Sequence, residues 1–201
     1  MSAGACSAGS RAEAQRERIL CAAQKCFIEH GFHAASMANI AETAQMSAGL
    51  MYRYFENKNA IVLAIVERQL QEGRDQIAQL HSSADLAADI IHTYTCWRAQ
   101  DPSVMNPALF LEMRAEATRD PQIAAALRAW DELIFAGLQS WMARPREEGG
   151  LGLPAAMAAQ RTFLLLSFVN GLAIRAVGQP GLEDALIREV VEKFVERVVL
   201  P

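Results

Sequence analysis

The segment from Ser36 to Lys58, SMANIAETAQMSAGLMYRYFENK, restricts the fold more than any other part of the chain. It predicts two short helices joined by a tight turn, because Ser36 and Ser47 each precede a run of helix-forming residues. A serine hydroxyl in that place accepts hydrogen bonds from the unpaired backbone N–H groups of a first helical turn. The apolar spacing assigns a buried face to the first helix, made of Ile40, Ala41 and Ala44.

The second of these helices has two chemically different faces. Met51 and Phe55 are four residues apart and therefore share the face that is expected to point into the core. The opposite face starts with small residues and continues with the Tyr52 ring, a combination suited to the DNA major groove. Only Arg53 could reach a guanine with two hydrogen bonds, so we expect few direct base contacts and a sizeable contribution from DNA shape. The predicted DNA-binding residues are Ser36, Met37, Ser47, Ala48, Gly49, Tyr52, Arg53, Tyr54 and Lys58.

This order of residues resembles the signature of the tetracycline-repressor (TetR) family: a hydroxyl residue, Ile-Ala, Ser-x-Gly, an apolar residue, Tyr-x-Tyr-Phe and a lysine three further on. Residues 19–32, ILCAAQKCFIEHGF, are similar to the first helix of that family, in which Phe27 packs under the helix-turn-helix and Gly31 ends the helix in a left-handed conformation. Two positions differ from the family. Gln45 replaces the usual turn glycine, at a cost of about 1 kcal/mol, and Cys26 replaces leucine as a small buried hydrophobe.

Composition and charge fit a globular protein with a buried core. The chain has 201 residues, 52% of them hydrophobic, and a net charge of −4 that by itself argues against a nucleic-acid partner. The acidity lies outside the predicted head, since residues 1–58 carry six basic and five acidic side chains. A nearly neutral head must use a few well-placed cations and helix N-termini, so we expect only moderate nonspecific affinity for DNA.

The N-terminal segment and the cysteines predict a cytoplasmic protein without a metal or a cofactor. The first ten residues, MSAGACSAGS, are small and uncharged, unlike a secretory signal, and predict a flexible tail. Cysteines at positions 6, 21, 26 and 96 show neither the C-x-x-C pair of a zinc site nor the paired spacing of a disulfide framework. They therefore indicate incidental or structural thiols in a reducing compartment, with a redox-sensing role as the alternative.

Beyond residue 58 the pattern stays helical. Asp120 and Pro121 predict a cap followed by proline at a first helical position, and residues 145–154, PREEGGLGLP, predict an exposed loop. The remaining helices are expected at about residues 58–80, 84–100, 106–118, 121–144, 155–177 and 182–199. The predicted fold is all-α with about nine helices: a three-helix helix-turn-helix head at residues 11–58 and a helical ligand-binding and dimerisation domain at residues 59–201.

The last two helices have apolar faces too broad for one packing partner. In the final helix, apolar residues form two adjacent columns at four-residue spacing: one holds Leu186 and Val190, the other Ile187 and Val191. One column can pack inside and leave the other for a second subunit, although buried helices of one subunit would give the same pattern. The helix before it has only thirteen residues between Arg161 and Arg175, too few to span a bilayer. The predicted dimer interface comprises Phe168, Gly171, Leu172, Arg175, Leu186, Val190, Val191, Phe194 and Val198.

Between the head and these helices, the family resemblance implies an effector pocket. Aromatic and soft apolar side chains with a few polar groups suit a small organic ligand. Residues 107–127 and 169–180 are also similar to a TetR-family C-terminal domain found in repressors related to the choline-betaine regulator. The predicted ligand-binding residues are His92, Trp97, Phe110, Met113, Trp130, Phe135, Phe168 and Asn170, each of which could also be ordinary core or surface.

The resemblance implies a homodimeric repressor on a palindromic operator, with heads about 34–36 Å apart in successive major grooves, released by a small organic effector. A ligand-independent DNA-binding protein or an activator of the same fold is one alternative. A helical enzyme is another, but the chain lacks H-E-x-x-H, G-x-S-x-G, Walker and dinucleotide-glycine patterns. A helical hairpin of an unrelated all-α protein would leave the tyrosines merely at the surface.

Overall fold

The computed structural model describes residues 4–78, 83–101 and 104–200. All regular structure in those ranges is helical, which confirms the predicted all-α class. The α-helices are α1 (Gly4–Ala34), α2 (Met37–Thr43), α3 (Ala48–Tyr52), α4 (Lys58–Ala78), α5 (Ser83–Ala99), α6 (Pro107–Glu116), α7 (Pro121–Ala143), α8 (Ala155–Gly178) and α9 (Asp184–Phe194). A 3₁₀ turn covers Arg146–Glu148, and a π-helical turn, Val195–Val199, continues α9.

The start of α1 differs from the predicted ten-residue tail, because the described residues from Gly4 onward are already helical. Alanine has the highest helix propensity, and the segment lacks a proline that would stop a helix extending back from Arg11. The predicted end of the fourth helix, at residues 79 and 80, lies outside the described residues.

Backbone contacts divide the chain into two compact units. The first, called the head below, contains Met1–Arg68 and Glu112–Ala126; the second contains Gln69–Leu111 and Leu127–Pro201. The predicted boundary after residue 58 therefore differs from the structure, because the head includes the first half of α4 and the corner between α6 and α7. Local sequence patterns could not show this, since the corner joins the head through contacts distant in sequence.

The head buries one side of each of its helices. Its most deeply buried side chains include Ile19, Ala23, Phe27, Ile40, Met51, Ile61, Ile65 and Ile123. Cys26 is also buried, with its Sγ atom 3.3 Å from the Thr43 hydroxyl, whereas Cys21 is exposed. Gly31 has the predicted positive φ of 75°, but its ψ of 162° is extended, so α1 bends at Gly31 and continues to Ala34 instead of ending. That backbone region is essentially restricted to glycine.

The second unit has its own apolar core. Helix α5 packs against α8, α9 and the π turn, and α8 also contacts the π turn. Its most deeply buried members are Tyr94, Trp141, Met142, Ala158, Leu165, Val191 and Val199. Helices α4 and α7 approach closely at Gly73, where a Cβ atom would lie 2.6 Å from Cδ1 of Ile134. A larger residue at Gly73 would therefore force Ile134 to move.

The connection between α7 and α8 is only partly the exposed loop that the sequence predicts. Leu151 and Leu153 are buried in the core of the second unit. The indole N–H of Trp141 donates to the carbonyl oxygen of Gly149 at 3.1 Å. The short Leu-Gly-Leu sequence carried too weak a periodic pattern to reveal that its two leucines point inward.

Helix α8 has 24 residues and contains an 18-residue window with a mean hydropathy of 1.3, so by length and composition alone it could cross a membrane. The stretch between Arg161 and Arg175 is only part of this helix, so the apolar length predicted from it was too short. In the structure, Ala158, Thr162 and Leu165 of α8 are buried within the second unit. Helix α8 is thus a core helix with an additional apolar face.

Candidate nucleic-acid interface and apolar face

Helix α2 begins where the sequence predicts, at a reciprocal cap between Ser36 and Asn39. The Ser36 hydroxyl accepts the Asn39 backbone N–H at 3.1 Å, and Asn39 Oδ1 accepts the Ser36 backbone N–H at 3.1 Å. This capping box satisfies two donors that the first turn would otherwise leave unpaired. The sequence analysis missed the role of Asn39, because the usual signal has Glu or Gln three residues after the serine.

The turn between α2 and α3 contains the strained residue that the sequence predicts. Gln45 has a φ of 53°, the left-handed value that glycine adopts more easily. Arg18 of α1 donates from Nη2 to the carbonyl oxygen of Gln45 at 3.1 Å. Ser47 then caps α3 by accepting the backbone N–H of Leu50 at 3.2 Å. Arg18 therefore stabilises a turn that lacks the usual glycine.

Met51 and Phe55 point into the core as predicted, although α3 ends at Tyr52 and does not reach Phe55. Met51 and Phe55 are buried in the head, whereas Tyr52 is 53% exposed. Ala48, Gly49 and Arg53 are exposed as well, and Tyr54 is partly buried. A Cβ atom added to Gly49 would meet no described atom within 4 Å, so the start of α3 presents an open, low surface. This is the shape that allows a helix N-terminus to approach base edges closely.

The ammonium group of Lys58 is bound by backbone carbonyl oxygens and is only partly exposed. Its Nζ atom donates to the carbonyl oxygen of Phe32 at 2.7 Å and to that of His33 at 3.3 Å. It also lies 4.7 Å from the centroid of the Phe32 ring. Burial lowers the pKa of Lys58, and the Glu116 charge partly raises it again. Lys58 thus binds the end of α1 within the head, a contact that local sequence patterns do not show.

Four of the predicted ligand-binding residues make ring contacts in the structure: Phe110, Trp130, Trp97 and Phe168. Phe110 and Trp130 have ring centroids 6.1 Å apart, and Trp97 meets Tyr94 edge-on at 6.4 Å, all in the second unit. Phe168 instead stacks on Phe194 of α9 at 4.0 Å. Of the other four predicted residues, Met113 is buried in the head, Phe135 is partly buried on α7, and His92 and Asn170 are exposed.

Tyr94 is a core residue that the sequence analysis did not single out. Its ring is buried, and its hydroxyl has no hydrogen-bond partner among the described atoms. Burial raises the pKa of Tyr94; the Arg98 charge opposes this, Asp184 adds to it and Arg175 opposes it. The hydroxyl therefore stays protonated at neutral pH and remains able to donate a hydrogen bond.

The two adjacent columns of α9 differ in burial, as the sequence predicts. Ile187, Val191, Val195 and Val199 are buried within the second unit, whereas Leu186 and Val190 are exposed. Helix α8 adds an exposed apolar face that includes Phe163, 65% exposed, together with Leu164, Ile174 and Val177. We call these six residues of α8 and α9 the apolar face: Phe163, Leu164, Ile174, Val177, Leu186 and Val190.

The structure corrects two residues of the predicted interface. Leu172 and Val191 are buried against their own unit and cannot meet a second subunit. They lie on the buried sides of α8 and α9. Which side of a helix is buried depends on how the helices pack and cannot be read from the periodicity alone. Gly171, Phe194 and Val198 are partly buried and Arg175 is exposed, so these four remain compatible with an interface.

The remaining titratable side chains do not form a metal site in the part of the chain that the structure describes. No group of three or more His, Cys, Asp and Glu residues there is arranged to hold an ion. Cys96 Sγ lies 3.6 Å from Nε2 of His92, one turn earlier on α5. His33 Nε2 lies 3.2 Å from a carboxylate oxygen of Glu116.

Comparisons with known proteins agree with this architecture. The model of bacterial regulatory proteins of the tetR family matches residues 19–65, and that of the tetracyclin repressor-like C-terminal domain matches residues 80–201. The chain is 31% identical over 168 residues to the HTH-type transcriptional regulator UidR of Escherichia coli (strain K12), covering 81% of this chain and 82% of that relative. It is 27% identical over 197 residues to the HTH-type transcriptional regulator BetI of Cronobacter sakazakii, covering 91% and 90%.

Two solved structures show a similar fold. Salmonella enterica GusR superposes with a TM-score of 0.69 at 24% identity, over 91% of this chain and 96% of that one. A transcriptional regulator from Saccharomonospora viridis in complex with choline superposes with a TM-score of 0.72 at 19% identity, over 92% and 97%.

Proposed function

This chain belongs to the TetR family of DNA-binding transcriptional regulators, and we propose that it is a cytoplasmic, homodimeric repressor that leaves a palindromic operator when a small organic effector binds. The observation that carries the proposal is the division of α3 into a buried face and an open face. Met51 anchors the helix in the head while Tyr52 and Gly49 face solvent. A recognition helix requires this arrangement, because one side must be rigid and the other free.

The DNA contacts that we propose start from this open face. Tyr52 and Arg53 meet the major groove, and the small Ala48 and Gly49 let the backbone approach. Ser36, Met37, Ser47, Tyr54 and Lys58 lie around them along the chain and contact phosphates. Contacts to phosphate fix the position of the head, whereas the few side chains of α3 select the sequence.

A homodimer follows from the apolar face. Large exposed apolar side chains that gather on two helices mark an interaction surface, and two antiparallel pairs of α8 and α9 would bury them as a four-helix contact. The face presents the same residues in each copy, as a twofold-symmetric interface requires. Two heads held in this way match the two half-sites of a palindrome.

The effector site that we propose lies in the second unit, near its paired aromatic rings. Phe110 with Trp130, and Tyr94 with Trp97, offer flat apolar surfaces beside one neutral hydroxyl. Such a lining fits a small, mostly apolar molecule with one hydrogen-bonding group. One structural neighbour is a complex with choline and another is a SmeT–triclosan complex, with 23% identity and a TM-score of 0.66. These neighbours support ligand binding by the fold without indicating the effector of this chain.

Selection of bound fragments from genomic DNA by the purified protein tests the proposal. We expect enrichment of a palindrome whose half-sites are about one helical turn apart. A reporter gene placed behind that palindrome should be silenced by the protein. Absence of any enriched motif would overturn the DNA-reading role, and activation of the reporter would overturn repression alone.

A further inference from the structure

The backbone of Phe32 is bound from two sides. Its N–H donates to Oε2 of Glu112 at 3.0 Å, and its carbonyl oxygen accepts from Nζ of Lys58 at 2.7 Å. Glu112 belongs to α6 and Lys58 is the first residue of α4. One residue near the end of α1 therefore links a carboxylate of α6 to the ammonium group that begins α4.

Gly31 makes this arrangement possible. Its φ of 75° and ψ of 162° bend α1 just before Phe32. A Cβ atom at Gly31 would lie 3.6 Å from Oε2 of Glu112, so the carboxylate rests directly against the bare backbone. Phe32 is buried, and a buried N–H that loses its acceptor is costly. The bend and the Glu112 carboxylate therefore depend on each other.

Two neighbouring contacts follow the same pattern. Glu116, on the same helix as Glu112, lies 3.2 Å from the His33 ring, and Asp120 accepts a hydrogen bond from the Asn59 side chain. The α6–α7 corner thus binds both the end of α1 and the start of α4. Helices α2 and α3 lie between these two points in the chain, so the corner determines where the DNA-reading segment is held.

We propose that Glu112 is a positioning residue for operator recognition, holding Phe32 and Lys58 so that α3 has the orientation a palindromic operator requires. This inference rests on the proposed function. The boundary between the two units falls inside α6, between Leu111 and Glu112, so Glu112 is the first residue of α6 that belongs to the head.

Three substitutions separate the reach of the side chain from its charge. Glu112→Gln keeps a carbonyl oxygen at the same distance from the backbone and loses the charge. Glu112→Asp keeps the charge but is one methylene shorter. Glu132→Asp makes the same shortening on an exposed residue of the second unit and serves as the control.

We expect Glu112→Asp to bind the selected operator about tenfold more weakly, with nonspecific DNA binding unchanged, while Glu112→Gln and Glu132→Asp stay within about twofold of the unmodified protein. Hydrogen exchange of the Phe32 amide gives a readout that is independent of DNA. Its protection should fall in Glu112→Asp and persist in Glu112→Gln.

The following results would overturn the inference. Unchanged operator affinity in Glu112→Asp would show that the contact does not position α3. Equal loss of operator and nonspecific binding, or equal loss in both Glu112 variants, would indicate a general effect on stability or charge. If the unmodified protein selects no operator while Phe32 exchange follows the expected order, the proposed function fails and the local contact alone survives.

Discussion

The ammonium group of Lys58 is held between the carbonyl oxygen of Phe32, 2.7 Å away, and the Phe32 ring, whose centroid is 4.7 Å away. Lys58 therefore has an intramolecular role in addition to the phosphate contact that the sequence predicts. Its contributions to folding and to DNA binding are expected to appear in different measurements, because only the second depends on salt through counterion release.

Lys58→Met retains the apolar stem and removes the charge. We expect the free energy of unfolding to fall by about 1–2 kcal/mol, since two carbonyl oxygens lose their donor. We also expect weaker binding to nonspecific DNA, with the salt slope reduced by about one unit. Lys25→Met, at an exposed position of α1, is the control for stability. An unchanged salt slope would show that Lys58 acts only within the head.

Tyr52→Ala should weaken operator binding and leave the stability unchanged, because the Tyr52 ring is exposed. Met51→Ala, at the adjacent buried residue, should destabilise the protein by about 2–5 kcal/mol. Thermal unfolding and an operator titration of both variants distinguish these roles. A loss of stability in Tyr52→Ala comparable to that in Met51→Ala would contradict the orientation of α3.

Gln45→Gly should stabilise the head by up to about 1 kcal/mol, because glycine adopts a φ of 53° without steric cost. The bond from Arg18 reaches the backbone carbonyl and is therefore retained. Gln100→Gly, at a φ of 54° in the second unit, is a matched substitution for the same backbone effect. Denaturant unfolding measures both; destabilisation by Gln45→Gly would mean that the glutamine side chain supports the turn.

Ile174→Glu should convert the proposed dimer to a monomer, since it introduces a charge into the apolar face. Ile28→Glu, at an exposed apolar residue of α1 outside that face, should leave the oligomeric state unchanged. Light scattering after gel filtration gives the mass of each variant. A dimer that survives Ile174→Glu would place the subunit contact on another surface.

Tyr94→Phe should raise the midpoint of thermal unfolding by about 2–4 °C, because it removes a buried hydroxyl with no described partner, which costs about 1 kcal/mol. Tyr52→Phe, at an exposed ring, should have no effect. If Tyr94 is the polar contact of the effector, Tyr94→Phe should also reduce derepression in the reporter strain. A lower midpoint would mean that the hydroxyl is hydrogen-bonded in solution.

The features that could be predicted from the sequence are local. The serine caps of α2 and α3, the buried pair Met51 and Phe55, and the two columns of α9 each depend on residues within one or two helical turns. Hydrogen-bonding rules and the helical period act over that distance. Helix boundaries differed from the prediction at the start of α1 and the end of α3. Leu151 and Leu153 were predicted in an exposed loop but are buried, because a loop has no periodic pattern that shows which side chains point inward.

The sequence by itself therefore determined the helical class, the buried and exposed faces of α3, and the presence of one buried and one exposed apolar column on α9. Only the tertiary structure decided which residues share a surface. Leu172 and Val191 are buried in their own unit. Phe32 is hydrogen-bonded to Lys58, 26 positions away, and to Glu112, 80 positions away. The physical reason is that such contacts depend on how whole helices cross. Helix crossing results from packing between distant segments, and the local pattern around each residue carries no record of it.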